Sequence, residues 1–150
     1  MKKSIDDNYV ENKSAKRVRI TMAVLFFIQV ILTTFPFIQG ETSEGGYDYL
    51  TAFEVTVRFQ GYPDAASIKL AIICGLFILL PLVSFFFCIF DKKSNVKNFV
   101  SAACCVICAC LITFGVGTMI SIGAVISLIL YVIILFFTAQ GFQASIMRDK

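Results

Sequence analysis

Residues 99–142 read FVSAACCVICACLITFGVGTMISIGAVISLILYVIILFFTAQGF and contain no Asp, Glu, Lys or Arg. A helix needs about 17–25 mainly apolar residues to cross the roughly 30 Å hydrocarbon core of a bilayer. The stretch is therefore long enough for two crossings, and Gly115, Gly117 and Gly123 mark the break between them. We predict a helical hairpin with spans at 99–117 and 120–142. A single re-entrant segment at the break is the alternative.

Two further apolar runs, 20–38 and 70–90, also lack charged side chains. Hydrophobic residues make up 58% of the 150-residue chain and charged residues only 15%. A typical soluble domain has about 45–50% and about 25%, so a water-soluble globule is excluded. The runs also lack the alternating pattern of membrane barrel strands. We therefore predict an all-α membrane protein, a bundle of four transmembrane helices at 20–38, 70–90, 99–117 and 120–142.

The orientation follows from the basic residues, because Lys and Arg accumulate in cytoplasmic segments. The N-terminal segment 1–19, the loop between the second and third spans, and the tail 143–150 are all basic, whereas the loop at 39–67 is acidic. We predict a transmembrane domain at 20–142 in the plasma membrane, both termini in the cytoplasm and the 39–67 loop outside. The basic residues near the membrane are Lys2, Lys3, Lys13, Lys16, Arg17, Arg19, Lys92, Lys93, Lys97, Arg148 and Lys150.

The external loop contains one segment with two interpretations. From Phe53 to Gln60, apolar and polar residues alternate strictly, which is typical of a strand. The same segment also places Leu50, Phe53 and Val57 on one face of a helix that could lie on the bilayer. An isolated strand would have no partner, so we favour a short amphipathic interfacial helix and keep the strand as the alternative.

The external loop is also the predicted interaction surface. Tyrosines in such a loop either seat it at the headgroups or recognise an extracellular partner. Its acidic residues lack the spacing of a calcium loop, so we predict no metal site. The candidate surface residues are Tyr47, Tyr49, Phe53, Glu54 and Arg58.

No ionisable acid or base lies inside the four predicted spans, which argues against proton-coupled pumps and voltage sensors. Gln29, Thr33 and Thr34 are the candidate intramembrane polar contacts, either as hydrogen-bonding residues between helices or as the lining of a polar pore. Small residues also repeat at helical spacing, and such faces allow helices to pack closely or copies to associate.

All six cysteines fall within the predicted spans, and the chain has no His. Cys105 and Cys108 form a C-x-x-C pair. It lies on the cytoplasmic side of the third span, and the external loop contains no cysteine with which it could exchange a disulfide. We expect packing roles for these thiols and name Cys88, near the cytoplasmic edge, as the candidate for S-acylation.

These patterns predict a non-enzymatic accessory or interaction subunit of a membrane or envelope complex. The alternative is a homo-oligomeric channel or carrier for a small neutral solute. We expect no cofactor and no catalytic residue. The expected partners are the lipid bilayer and either another protein or a second copy, with no nucleic acid.

Overall fold

The computed structural model describes residues 13–41, 45–58, 65–92 and 95–148, and most of them are helical. The remaining parts of the predicted N-terminal segment, external loop, loop between the second and third spans, and tail lie outside the described residues. The elements in chain order are α1 (Lys13–Leu32), β1 (Pro36–Glu41), β2 (Tyr47–Thr51), α2 (Ala52–Arg58), α3 (Ala65–Phe90), α4 (Val96–Cys110) and α5 (Ile122–Arg148). A π-helical turn (Leu111–Val116) and a 3₁₀ turn (Gly117–Met119) extend α4.

Three helical stretches are long and apolar enough to cross a membrane: Ile68–Phe90, Val96–Met119 and Ile122–Gln143. They coincide with the second, third and fourth predicted spans, and they indicate a multi-pass membrane protein. The break between the last two lies at Gly117, whose φ of 60° is a conformation that only glycine adopts without strain. The chain then runs extended through Ile120 before α5 begins.

The first predicted span, 20–38, was wrong at its outer end, because α1 stops at Leu32. Pro36 disfavours helical geometry in the residue before it. The hydroxyls of Thr33 and Thr34 bond back to the carbonyls of Val30 and Ile31, which closes the last turn. The apolar residues that follow Thr34 therefore belong to the approach to β1 and to β1 itself.

Strands β1 and β2 form an antiparallel hairpin, which the sequence analysis did not anticipate. The hairpin is held against the start of α5. Ile38 forms an isolated antiparallel bridge with Ile120, and the backbone N–H of Ser121 donates to the carbonyl of Phe37 at 3.2 Å. The Phe37 ring is buried 4.8 Å from the ring of Phe77 on α3. These contacts join the hairpin to the helices.

The long helices pack so that α1 and α4 each contact both α3 and α5. Small residues occupy the inner face of α4, where Ser101, Cys104 and Cys108 are buried. The outward faces carry large apolar side chains, as expected where lipid replaces water. The most exposed of these include Ile72, Phe114, Ile129, Val132 and Phe136.

Candidate functional site

The hairpin and α2 carry the predicted interaction residues, and we term them the external platform after the position that the sequence predicts for them. Tyr47 and Tyr49 lie two residues apart on β2, so they share one face of the hairpin. Their side chains are 60% and 54% exposed. The opposite face turns towards the helices, where Ile38 is buried. Tyr47 is therefore presented outward, whereas Tyr49 lines an open groove beside the start of α5, with Ser121 and Val125.

Glu54 has a structural role that the sequence analysis did not assign to it. Its carboxylate accepts hydrogen bonds from the backbone N–H and hydroxyl of Thr51, at 2.9 and 3.0 Å. In return, the backbone N–H of Glu54 donates to the Thr51 hydroxyl at 3.0 Å. This reciprocal arrangement is a capping box, which begins α2 directly after β2. The T-x-x-E spacing was readable in the sequence and was missed.

Helix α2 confirms the helical interpretation over Ala52–Arg58, but Leu50, which we predicted to share a helix face with Phe53 and Val57, lies on β2. Ala52 and Val55 are buried against the bundle, whereas Phe53 and Val57 are 58% and 55% exposed. The strand interpretation was therefore wrong for this segment. The alternation arises because apolar residues lie on two faces of α2, with Val55 on the buried face and Phe53 and Val57 on the exposed face. Arg58, the remaining candidate, ends α2.

The intramembrane candidates occupy separate environments. Gln29 is buried, and its Nε2 donates to the backbone carbonyl of Ser127 on α5 at 2.8 Å. Its Oε1 is also buried and accepts no hydrogen bond from the part of the chain that the structure describes. Thr33 is buried and Thr34 is exposed, and both hydroxyls bond to their own helix. Gln29 thus links α1 to α5, and the two threonines do not extend its polar contact.

The thiols are mostly enclosed by the helix bundle. Cys88 is fully buried, with its Sγ 3.7 Å from the Ser101 hydroxyl. Acylation of Cys88 would require this side chain to leave that contact. Cys110 is exposed on the outer surface of α4. Among the described residues, no group of three or more cysteine or carboxylate side chains is arranged to hold a metal ion.

Arg19 has a structural role, whereas the sequence analysis used it only as one of the basic residues that set the orientation. It is 8% exposed, and its Nη1 donates to the carbonyls of Cys88 and Ile89 at 2.9 and 3.1 Å. These carbonyls belong to the last turn of α3, where backbone acceptors lack helical partners. Apolar residues lie on both the buried and the exposed faces of α1, so their spacing in the sequence does not distinguish the inward position of Arg19.

The described geometry is suited to binding through a strand edge, two phenol groups and exposed apolar side chains. The residues that carry these features come from β2 and α2, which the capping box fixes relative to each other. The chain matches no protein-family model, no curated protein and no solved structure.

Proposed function

We propose that α1 is a fourth membrane span, so that both termini lie in the cytoplasm and the external platform lies outside. The charge-free part of α1 covers residues 20–32 and would span about 20 Å at about 1.5 Å per residue. This is short, but a bilayer adapts to a short span by thinning locally. The exposed, apolar Val24, Phe27 and Ile31 support a lipid-facing position.

The charges of the described residues support the same orientation. Lys16 and Arg17 lie at the start of α1, and Lys92 follows α3. Because α1 and α3 pack on each other in opposite directions, these residues share one end of the bundle. The hairpin lies at the other end. The positive-inside rule therefore assigns the hairpin to the external side.

For the function, we propose a non-enzymatic interaction subunit that binds another membrane protein through the external platform. The observation that carries this proposal is the outer edge of β2. Within the described residues, β2 pairs with β1 on one side only. An open strand edge offers unpaired backbone groups, and proteins use such edges to accept a strand from a partner.

The tyrosines on β2 favour a protein partner at this edge. Tyrosine contributes a large contact area and a hydroxyl at little entropic cost, and it is enriched at protein interfaces. Phe53 and Val57 add exposed apolar surface on the adjoining helix. A partner that adds a strand to β2 would reach Tyr47 and Tyr49 from the same side.

Photo-cross-linking in the native membrane tests this role. With p-benzoylphenylalanine in place of Tyr47, we expect a single discrete adduct with a different protein. The same amino acid in place of Phe136, a 63% exposed aromatic on α5, is the matched control and is expected to give no such adduct. The Tyr47 adduct should retain its yield when Phe136 is changed.

Three outcomes would contradict the proposal. An adduct at twice the mass of the chain would instead indicate self-association. Adducts with lipid alone would indicate that Tyr47 only anchors the loop at the lipid headgroups. Equal protein adducts from both positions would show that the contact is unspecific.

A further inference from the structure

An apolar groove of about 380 Å³ runs along the outer surface of the bundle between α1 and α3. Ile20, Val24 and Phe27 of α1 line it, together with Phe85 and Ile89 of α3. Val24 and Phe27 are each 52% exposed. The described helices therefore leave this α1–α3 groove uncovered.

One end of the α1–α3 groove is positively charged. Arg19 lies at this end and contacts the last carbonyls of α3. The exposed Lys16 precedes Ile20 by one helical turn and so extends the same face of α1. The exposed Lys92 follows α3. One carboxylate, that of Asp91, also lies at this end, and it accepts a hydrogen bond from the backbone N–H of Lys97 at 3.1 Å.

We propose that the α1–α3 groove binds one acyl chain of an anionic phospholipid, with the phosphate at the end marked by Lys16, Arg19 and Lys92. The charge selects the headgroup, because basic residues at a membrane surface attract anionic lipid. This inference rests on the proposed membrane position of α1. It is independent of the protein partner, since the external platform lies at the opposite end of the bundle.

The dimensions of the groove also fit a lipid chain. Arg19 to Phe27 covers about 12 Å along α1, at about 1.5 Å per residue, and half of the hydrocarbon core is about 15 Å.

Native mass spectrometry of the full chain in neutral detergent tests the site. The probes are phosphatidylglycerol and phosphatidylcholine with identical acyl chains. We expect one retained phosphatidylglycerol, preferred over phosphatidylcholine by on the order of tenfold or more. The double variant Lys16→Gln/Lys92→Gln should lose this preference, with affinity for phosphatidylglycerol falling about fivefold per lysine. Val24→Trp should weaken the binding of both lipids, because the indole fills the groove.

Two variants control for charge and bulk. Lys69→Gln removes a positive charge from the start of α3, at the other end of the bundle, and Val132→Trp enlarges an exposed residue on α5. Both should bind phosphatidylglycerol like the wild type, and circular dichroism should show equal helix content in all variants. Equal retention of the two lipids by the wild type would overturn the proposal. So would an unchanged phosphatidylglycerol preference in the double lysine variant, or wild-type binding by Val24→Trp.

Discussion

Replacing Gly123 by alanine is expected to lower the free energy of unfolding by about 1–3 kcal/mol, and replacement by valine by more. A Cβ at this position would lie 2.5 Å from the carbonyl oxygen of Pro36 and 3.2 Å from its carbonyl carbon. These are backbone atoms, so they cannot rotate away as a flexible side chain would. Relief would require α5 and β1 to move apart, which would also strain the contact between Ser121 and Phe37. Unfolding by SDS titration, followed by circular dichroism, measures the loss.

Two other glycines provide matched controls for Gly123. A Cβ at Gly75 would meet its nearest neighbour, Thr56 Cγ2, at 3.9 Å, and a Cβ at Gly40 would meet nothing within 4 Å. Alanine at either position should therefore not destabilise the protein, and at Gly75, inside α3, it should raise the free energy of unfolding by up to about 1 kcal/mol because alanine favours the helix more than glycine does. If Gly123→Ala is as stable as these controls, the close approach of α5 to β1 is wrong.

Replacing Arg19 by leucine is expected to cost about 1.5–3 kcal/mol of stability, the range typical of hydrogen bonds to a charged group. The guanidinium satisfies two carbonyls in the last turn of α3, and a leucine leaves both without that donor. Burial of the Arg19 side chain also means that its removal opens a gap between α1 and α3. The same SDS titration reports the effect.

Arg17→Leu is the control for Arg19, since it removes the same charge from an exposed position two residues away. Its expected effect is below about 0.5 kcal/mol. Arg19→Lys should recover part of the loss, because an ammonium can reach one carbonyl but lacks the fork of the guanidinium. Equal losses from Arg17→Leu and Arg19→Leu would indicate that only the net charge of the segment matters.

The membrane-crossing helices could be predicted because their signal is local. Long charge-free runs define α3, α4 and α5, and Gly117 supplies the break where the sequence placed one. The outer end of α1 could not be placed from hydropathy. There Phe35, Pro36 and Phe37 continue the apolar run of the helix, although they precede and enter a strand.

The external platform depends on contacts that hydropathy does not report. The hairpin arises because residues after α1 pair with residues before α2, and β1 is further held by the turn before α5. The position of Gly123 against Pro36 is equally non-local. By contrast, the Thr51–Glu54 capping box is a local pattern, and it would have placed the start of α2 correctly.

The candidate residues likewise divide into those that a local sequence signal identifies and those whose role depends on packing between distant segments. The sequence identified Tyr47, Tyr49 and Phe53 by their position in the external loop, and all three are exposed. Glu54 differs from them, because its T-x-x-E spacing after Thr51 already indicates in the sequence that it caps α2. The sequence could not separate Arg19 from its solvated neighbour Arg17, because inward and outward positions in the first turns of α1 depend on how α3 packs.

The central claim is that α1 crosses the membrane and leaves the hairpin outside. Labelling of intact cells with a membrane-impermeant maleimide tests it most directly, with Ser14→Cys and Tyr47→Cys variants. The native cysteines all lie in α3 and α4, so the wild-type chain serves as the background. The account predicts labelling of Tyr47→Cys on intact cells and of Ser14→Cys only after permeabilisation. Labelling of both positions from the same side, or of Ser14→Cys alone on intact cells, would contradict it.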